Sequence, residues 1–177
     1  ALIAGQISLD EFEIVRSNSI KLPQGRGEIL KLREGNILID FAHDHQSIQN
    51  ILSELANYHD EIILVFGCGG DRDKSKRSKM MKVAQDFASK IFFTSDNNRY
   101  EPFSSIVKDA MAGNSYTSIE ILEDRKEAIN LALQCLNKEN ILVILGKGHE
   151  TYMDVSGKKV PFNDRDCVLE ILGNEIN

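Results

Sequence analysis

Ile62-Ile63-Leu64-Val65-Phe66-Gly67-Cys68-Gly69-Gly70-Asp71-Arg72-Asp73 is an apolar run of strand length that breaks into glycines and then charges. The run is continuous rather than alternating, which predicts a strand covered on both faces. Working outward, further short apolar runs lie at Ile37-Leu38-Ile39, Ile91-Phe92-Phe93, Ile119-Glu120-Ile121-Leu122 and Ile141-Leu142-Val143-Ile144-Leu145. Between them, apolar residues recur at helical spacing. The sets are Ile48, Ile51, Leu52 and Leu55; Met80, Val83, Ala84 and Phe87; Phe103, Ile106, Val107 and Ala110; and Ala128, Leu131, Ala132 and Cys135. Asp124, three residues before Glu127, is a candidate N-cap. A last helix is expected from about Asn163 or Asp164 to Gly173. Strands and helices in alternation predict an α/β fold: a Rossmann-like, mostly parallel sheet with helices on both faces.

In such sheets, ligands sit outside the carboxyl ends of the strands. The segments that follow strands here are Asp40-Phe41-Ala42-His43-Asp44-His45, Gly67 to Asp73, Thr94-Ser95-Asp96-Asn97-Asn98-Arg99 and Gly146-Lys147-Gly148-His149-Glu150. Turns alone do not need so many Asp, Arg, His and Glu residues, so a ligand site along one sheet edge is expected. The glycines of Gly67 to Asp73 let backbone N–H groups approach an anion. That loop fits neither the dinucleotide fingerprint nor the Walker A pattern, and a plain tight turn is the alternative. Arg72, Lys74, Lys76, Arg77, Lys79 and Lys82 gather positive charge near a helix start, where it opposes the helix dipole. A visiting anion and a solvated basic face explain them about equally well.

Asp96 and Arg99 join a carboxylate to a guanidinium, and Asn97 and Asn98 add amides. The set suits a zwitterionic, amino-acid-like ligand; the alternative is an Asx-turn capping a helix that begins near Pro102. His43 and His45 have no third ligand or supporting Cys or His pair, so no metal site is expected. Cys68 reads as buried filler rather than a nucleophile. Cys135 and Cys167 read as core, and His59 as a surface residue at a helix end.

The chain has 177 residues, 42% of them hydrophobic, and a formal net charge of −6. This composition is that of a globular domain, and its acidic balance argues against a general nucleic-acid partner. No apolar stretch approaches the roughly 18–20 residues of a membrane span. The three cysteines are too far apart for a disulfide framework and suit a reducing cytoplasm. Residues 1–23 are irregular and read as a tail from a preceding domain; residues 24–177 read as one domain.

Five segments in register carry a resemblance: Gly25-Arg26-Gly27-Glu28, Asp40-Phe41-Ala42-His43, Phe66 to Asp73, Asp96 to Arg99, and Gly146 to Tyr152. Together they resemble the C-terminal domain of the Mur ligases. With Pro161-Phe162-Asn163-Asp164-Arg165, they look most like the branch that adds diaminopimelate as the third residue of the peptidoglycan stem peptide. The resemblance implies an ATP-dependent amide ligase that phosphorylates a carboxylate of UDP-MurNAc-L-Ala-D-Glu and lets an amine displace the phosphate. It implies ATP and Mg2+ in the complete enzyme, and a UDP-sugar-binding domain and a central ATPase domain as neighbours of this one. The phosphate loop, magnesium-binding glutamate and lysine segment of the central domain have no counterpart in the sequence, so the chain alone is expected to turn nothing over.

By the resemblance, Arg26 reaches the ATP phosphates, Asp40 accepts from the ribose hydroxyls and His43 lies near the nucleotide. Arg72, Asp96, Asn97, Asn98, Arg99, Gly146 and Glu150 bind the amino acid. Arg72 and Arg99 suit carboxylates and Glu150 an ammonium, which favours meso-diaminopimelate over lysine. The family's Asp-Asn-Pro-Arg reads Asp96-Asn97-Asn98-Arg99 here, which frees φ and adds a donor. Its Tyr-Ala-His-x-Pro-Asp reads Phe41-Ala42-His43-Asp44-His45-Gln46, without the tyrosine hydroxyl. The alternatives are a lysine-adding or glutamyl-chain-extending relative, and a non-catalytic nucleotide- or phosphate-binding module that works alone.

Overall fold

A computed structural model describes residues 24–173. The expected tail over residues 1–23 lies outside the described residues. The chain runs β1 (Glu28–Lys31), β2 (Asn36–Asp40), α1 (His45–Leu55), β3 (Glu61–Cys68), a single 3-10 turn (Lys74–Lys76), α2 (Arg77–Phe87), β4 (Lys90–Ser95), α3 (Phe103–Ala110), β5 (Ile119–Leu122), α4 (Arg125–Gln134), β6 (Asn140–Leu145), β7 (Tyr152–Val155), β8 (Lys158–Pro161) and α5 (Asp164–Leu172). Six strands form one sheet in the order β1-β2-β6-β3-β4-β5. Every pairing is parallel except β1 with β2.

The apolar runs fill two cores because successive side chains leave a strand on opposite faces. Ile62, Leu64 and Phe66 of β3 and Ile141, Val143 and Leu145 of β6 pack with α1, α2 and α3. Ile63 and Val65, with Leu142 and Ile144, pack on the other face with Ala128, Ile129 and Ala132 of α4 and Val168 of α5. Continuous hydrophobicity in the central strands follows from this double cover. Short polar residues fix where the helices start. Asp44 accepts from the Ser47 N–H at 2.9 Å and Asp124 from the N–H groups of Lys126 and Glu127. Asn163 accepts from the Asp166 N–H at 3.1 Å.

Three expectations change. The helix after Asp96–Arg99 has Pro102 at its N-cap with no side-chain cap, so the Asx-turn reading of that segment fails. His59 is half-buried; its Nε2 is buried without a hydrogen-bond partner, and burial pushes its pKa down. The basic run divides. Arg77 is buried and pairs with Glu101 and Asp109, Lys74 reaches Glu101, and Lys82 pairs with Asp86, while Arg72 stays exposed. Two features come without a sequence-based expectation: the edge strand β1, and the β7–β8 hairpin, which forms its own two-stranded sheet.

Candidate functional site

Because β2, β3, β4 and β6 are parallel, the segments that leave them open on one edge of the sheet. Asp40 ends β2, and its carboxylate accepts from the Ala42 N–H at 2.8 Å and the Gly27 N–H at 2.7 Å. This ties the turn before β1 to the end of β2. Gly25, at φ +70°, lies so close to the backbone of Gly148 and His149 that a Cβ would overlap them. Arg26 lies over the Phe41 ring, 5.1 Å from its centroid. The His43 and His149 rings stand 4.7 and 4.8 Å from that ring. Arg26, Asp40 and His43 therefore share one corner of the edge. His149 joins them and was missed by sequence reasoning, although it lies within the Gly146–Glu150 block.

Next to this corner, the segments after β3, β4 and β6 interlock. Gly70 donates its N–H to the Asn97 carbonyl at 2.8 Å and sits where any Cβ would strike the Asn98 carbonyl. Arg99 Nη1 donates to the carbonyls of Gly70 at 2.6 Å and Asn97 at 3.2 Å. Asp96, Asn97 and Asn98 are all buried. Asn97 Nδ2 donates to Glu150 at 2.8 Å, and Asn97 Oδ1 accepts from the Asp154 N–H at 2.8 Å. Asn98 Nδ2, a donor the family's proline lacks, bonds Ser95 Oγ at 3.0 Å. Arg99 holds a left-handed φ of 52°. The hairpin secures it: Arg99 N–H donates to the Asp154 carbonyl at 2.9 Å, and Ser156 N–H donates to the Arg99 carbonyl at 2.7 Å.

Charge at this site is balanced within the fold. Lys147 is fully buried and lies 2.8 Å from Glu150 and 3.7 Å from Asp96. Burial pushes the Glu150 carboxyl up, but hydrogen bonds from Lys147 and Asn97 and the nearby charges of Lys147 and His149 outweigh it, so its pKa falls below the usual carboxylate value. Beneath the site, Arg125 grips Asp164 at 2.8 and 2.9 Å and donates to the carbonyls of Ser95 and Leu145 at 3.2 and 3.0 Å. These are the residues immediately before Asp96 and Gly146. Cys68 is buried and its thiol is pushed up to about 12 by burial, so it is filler and no nucleophile. Among the described residues, no group of three or more His, Cys, Asp or Glu could hold a metal ion. No helix among them is long and apolar enough to cross a membrane.

The structure thus brings together Asp96, Asn97, Asn98, Arg99, Gly146 and Glu150. Gly146, at φ +114°, lies close beside the Asp96 carboxylate. Arg72 stands at the rim, its Cγ beside Gly69. Two anionic groups, two guanidinium groups and an amide on facing loops can hold a ligand that carries both carboxylate and ammonium. Lys147 and Arg125 are the residues of this assembly that sequence reasoning missed.

The profile of the family described as "Mur ligase, glutamate ligase domain" matches residues 25–148. UDP-N-acetylmuramoyl-L-alanyl-D-glutamate--2,6-diaminopimelate ligase of Helicobacter hepaticus is 44% identical over 135 residues, which cover 75% of this chain and 28% of that protein. A solved structure of a ligase with that name is 31% identical, with a TM-score of 0.81 over 94% of this chain and 35% of the other. The folylpolyglutamate synthase of Thermotoga maritima shares the fold, with a TM-score of 0.54 at 21% identity over 80% of this chain and 31% of the other. The chain spans about a third of the length of the relatives it matches. The profile covers the segments of this sheet edge up to Gly148, and the chain belongs to the Mur ligase family by its match to the glutamate ligase domain.

Proposed function

We propose that the chain is the amino-acid-binding domain of an ATP-dependent ligase that joins meso-diaminopimelate to UDP-MurNAc-L-Ala-D-Glu in the bacterial cytoplasm. The observation that supports this reading is the gathering of Arg99, with Arg72 near Gly69, and of Asp96 and Glu150 around the Asn97 segment. A diamino acid with a carboxylate and an ammonium at each end meets both signs of charge there. Lysine has no second carboxylate and would leave a guanidinium without a carboxylate partner. The names of the relatives support the same substrate.

In this reaction the glutamate carboxylate of the sugar peptide takes the terminal phosphoryl group of ATP and releases ADP. The amine then attacks the acyl carbon, phosphate leaves, an amide forms and the ammonium proton is lost. The domain's share is to present the amine and to cover the acyl phosphate against water. Arg26, Asp40 and His43, grouped around Phe41, are the residues proposed to meet ATP. Among the described residues no group of three or more His, Cys, Asp or Glu could hold a metal ion, and the Mg2+ of the complete enzyme is assigned no residue of this domain. Its partners are then the ligase's own sugar-binding and central domains, and the isolated chain should show no turnover.

The test is competition in a complete ligase carrying this domain. Meso-diaminopimelate should be used in strong preference to L-lysine, and Arg99→Ala should raise the KM for diaminopimelate far more than that for ATP. Preference for lysine, or equal losses for both substrates, would reject the assignment.

A further inference from the structure

Lys147 has no role in the reading above, yet it is the most completely enclosed charge at the site. Its side chain is 0% exposed. Its ammonium lies 2.8 Å from Glu150 Oε2, 3.4 Å from Asn97 Oδ1 and 3.7 Å from Asp96 Oδ1. Burying an ammonium costs several kcal/mol unless charge and hydrogen bonds compensate it. A lysine placed only to fill space would be replaced by an apolar residue at no loss. Here the hydrogen-bond and ion-pair partners of its ammonium are all groups proposed to touch the amino acid.

We propose that Lys147 is a positioning residue of the amino-acid subsite: its buried ammonium offsets the charge of the two converging carboxylates, Asp96 and Glu150, and aims Asn97 and Glu150 within the site. This inference rests on the proposed function. Both hydrogen bonds to Glu150, from Lys147 and from Asn97, end on Oε2. The other oxygen of that carboxylate faces no hydrogen-bond donor among the described residues. Asp96 is 7% exposed, and its Oδ1 is buried without a hydrogen-bond partner. A buried, unmatched acceptor is costly unless something arrives to donate to it. Asn97 is turned by the same ammonium: with Oδ1 held toward Lys147 and the Asp154 N–H, its Nδ2 must point at Glu150. Of the other charges near the subsite, Arg99 binds the carbonyls of Gly70 and Asn97, and Arg72 stands at the rim. Arg125 of α4 faces Asp96 from below but is bound to Asp164 of α5, and His149 is the remaining titratable group acting on Glu150.

The sign of the expected pH effect follows from these neighbours. With Lys147 in place, the Glu150 carboxyl stays ionised. Without it, burial is opposed only by Asn97 and His149, and the carboxyl moves up toward neutrality. The experiment is steady-state kinetics of a complete ligase with Lys147→Met, using meso-diaminopimelate as the varied substrate. Its KM for diaminopimelate should rise about tenfold or more while that for ATP changes little. The rise should grow as pH is lowered from about 8 to about 6, beyond any trend in the wild type.

Equal changes in both KM values, with the wild-type pH profile retained, would make Lys147 purely structural and overturn the inference while leaving the proposed function standing. A wild-type ligase with no dependence on diaminopimelate would overturn both. Should Lys147→Met fail to fold, Lys147→Gln, which keeps a donor without the charge, is held to the same outcomes.

Discussion

Arg125 and Asp164 form the ion pair on which the site rests. Both side chains are 0% exposed. Arg125 also spans two strand ends, through the carbonyls of Ser95 and Leu145. Removing one member of such a pair leaves the other charge buried and alone. Arg125→Met should therefore destabilise the chain by about 3–5 kcal/mol in urea unfolding. The double variant Arg125→Met with Asp164→Asn should recover part of that loss. Additive losses in the two single variants would show that the pair does not act as a unit. Neither this pair nor Lys147 was legible in the sequence. Arg and Lys are solvated in most places they occur, and Asp164 is 39 residues from Arg125, so only the packed fold reveals that they are enclosed. Asp96, Arg99 and Glu150 were legible because each follows an apolar run that predicts a strand.

At the level of elements, one cap joins stability to the site. Asn163 starts α5 through Oδ1, and its Nδ2 donates to the Glu150 carbonyl at 2.9 Å. Asp124 caps α4 with no such second bond to the site. Asn163→Ala and Asp124→Ala should each cost about 0.5–2 kcal/mol of stability. Only Asn163→Ala should also raise the KM for diaminopimelate in a complete ligase; a similar rise with Asp124→Ala would mean that general loosening is responsible. The central strands and helices α1 to α4 follow from apolar runs and periodicity in the sequence. The edge strand β1 and the hairpin strands β7 and β8 have only four residues each, with β8 exposed throughout. Neither has a buried face long enough to leave a pattern. The Ser156-Gly157 pair at the hairpin turn, with φ of 52° and 76°, was the available signal. That hairpin is also what holds the left-handed backbone of Arg99, so the least legible element fixes one of the most legible site residues.

Over the whole molecule, parallel strands bring loops far apart in sequence to one edge, where polar residues from separate turns become one site. The convergence of Asp96–Arg99 with Gly146–Glu150 was expected because both segments follow strands of a mostly parallel sheet. The internal neutralisation of that site by Lys147, and the fastening of its loops by Arg125, depend on three-dimensional packing. The most direct check is backbone amide chemical-shift mapping of the 177-residue chain titrated with meso-diaminopimelate and, in parallel, with L-lysine. Shifts should concentrate at residues 69–72, 96–99 and 146–150 with diaminopimelate and be distinctly weaker with lysine. Shifts scattered over unrelated surfaces, or the same response to both amino acids, would contradict a site that grips its ligand by carboxylate and ammonium together.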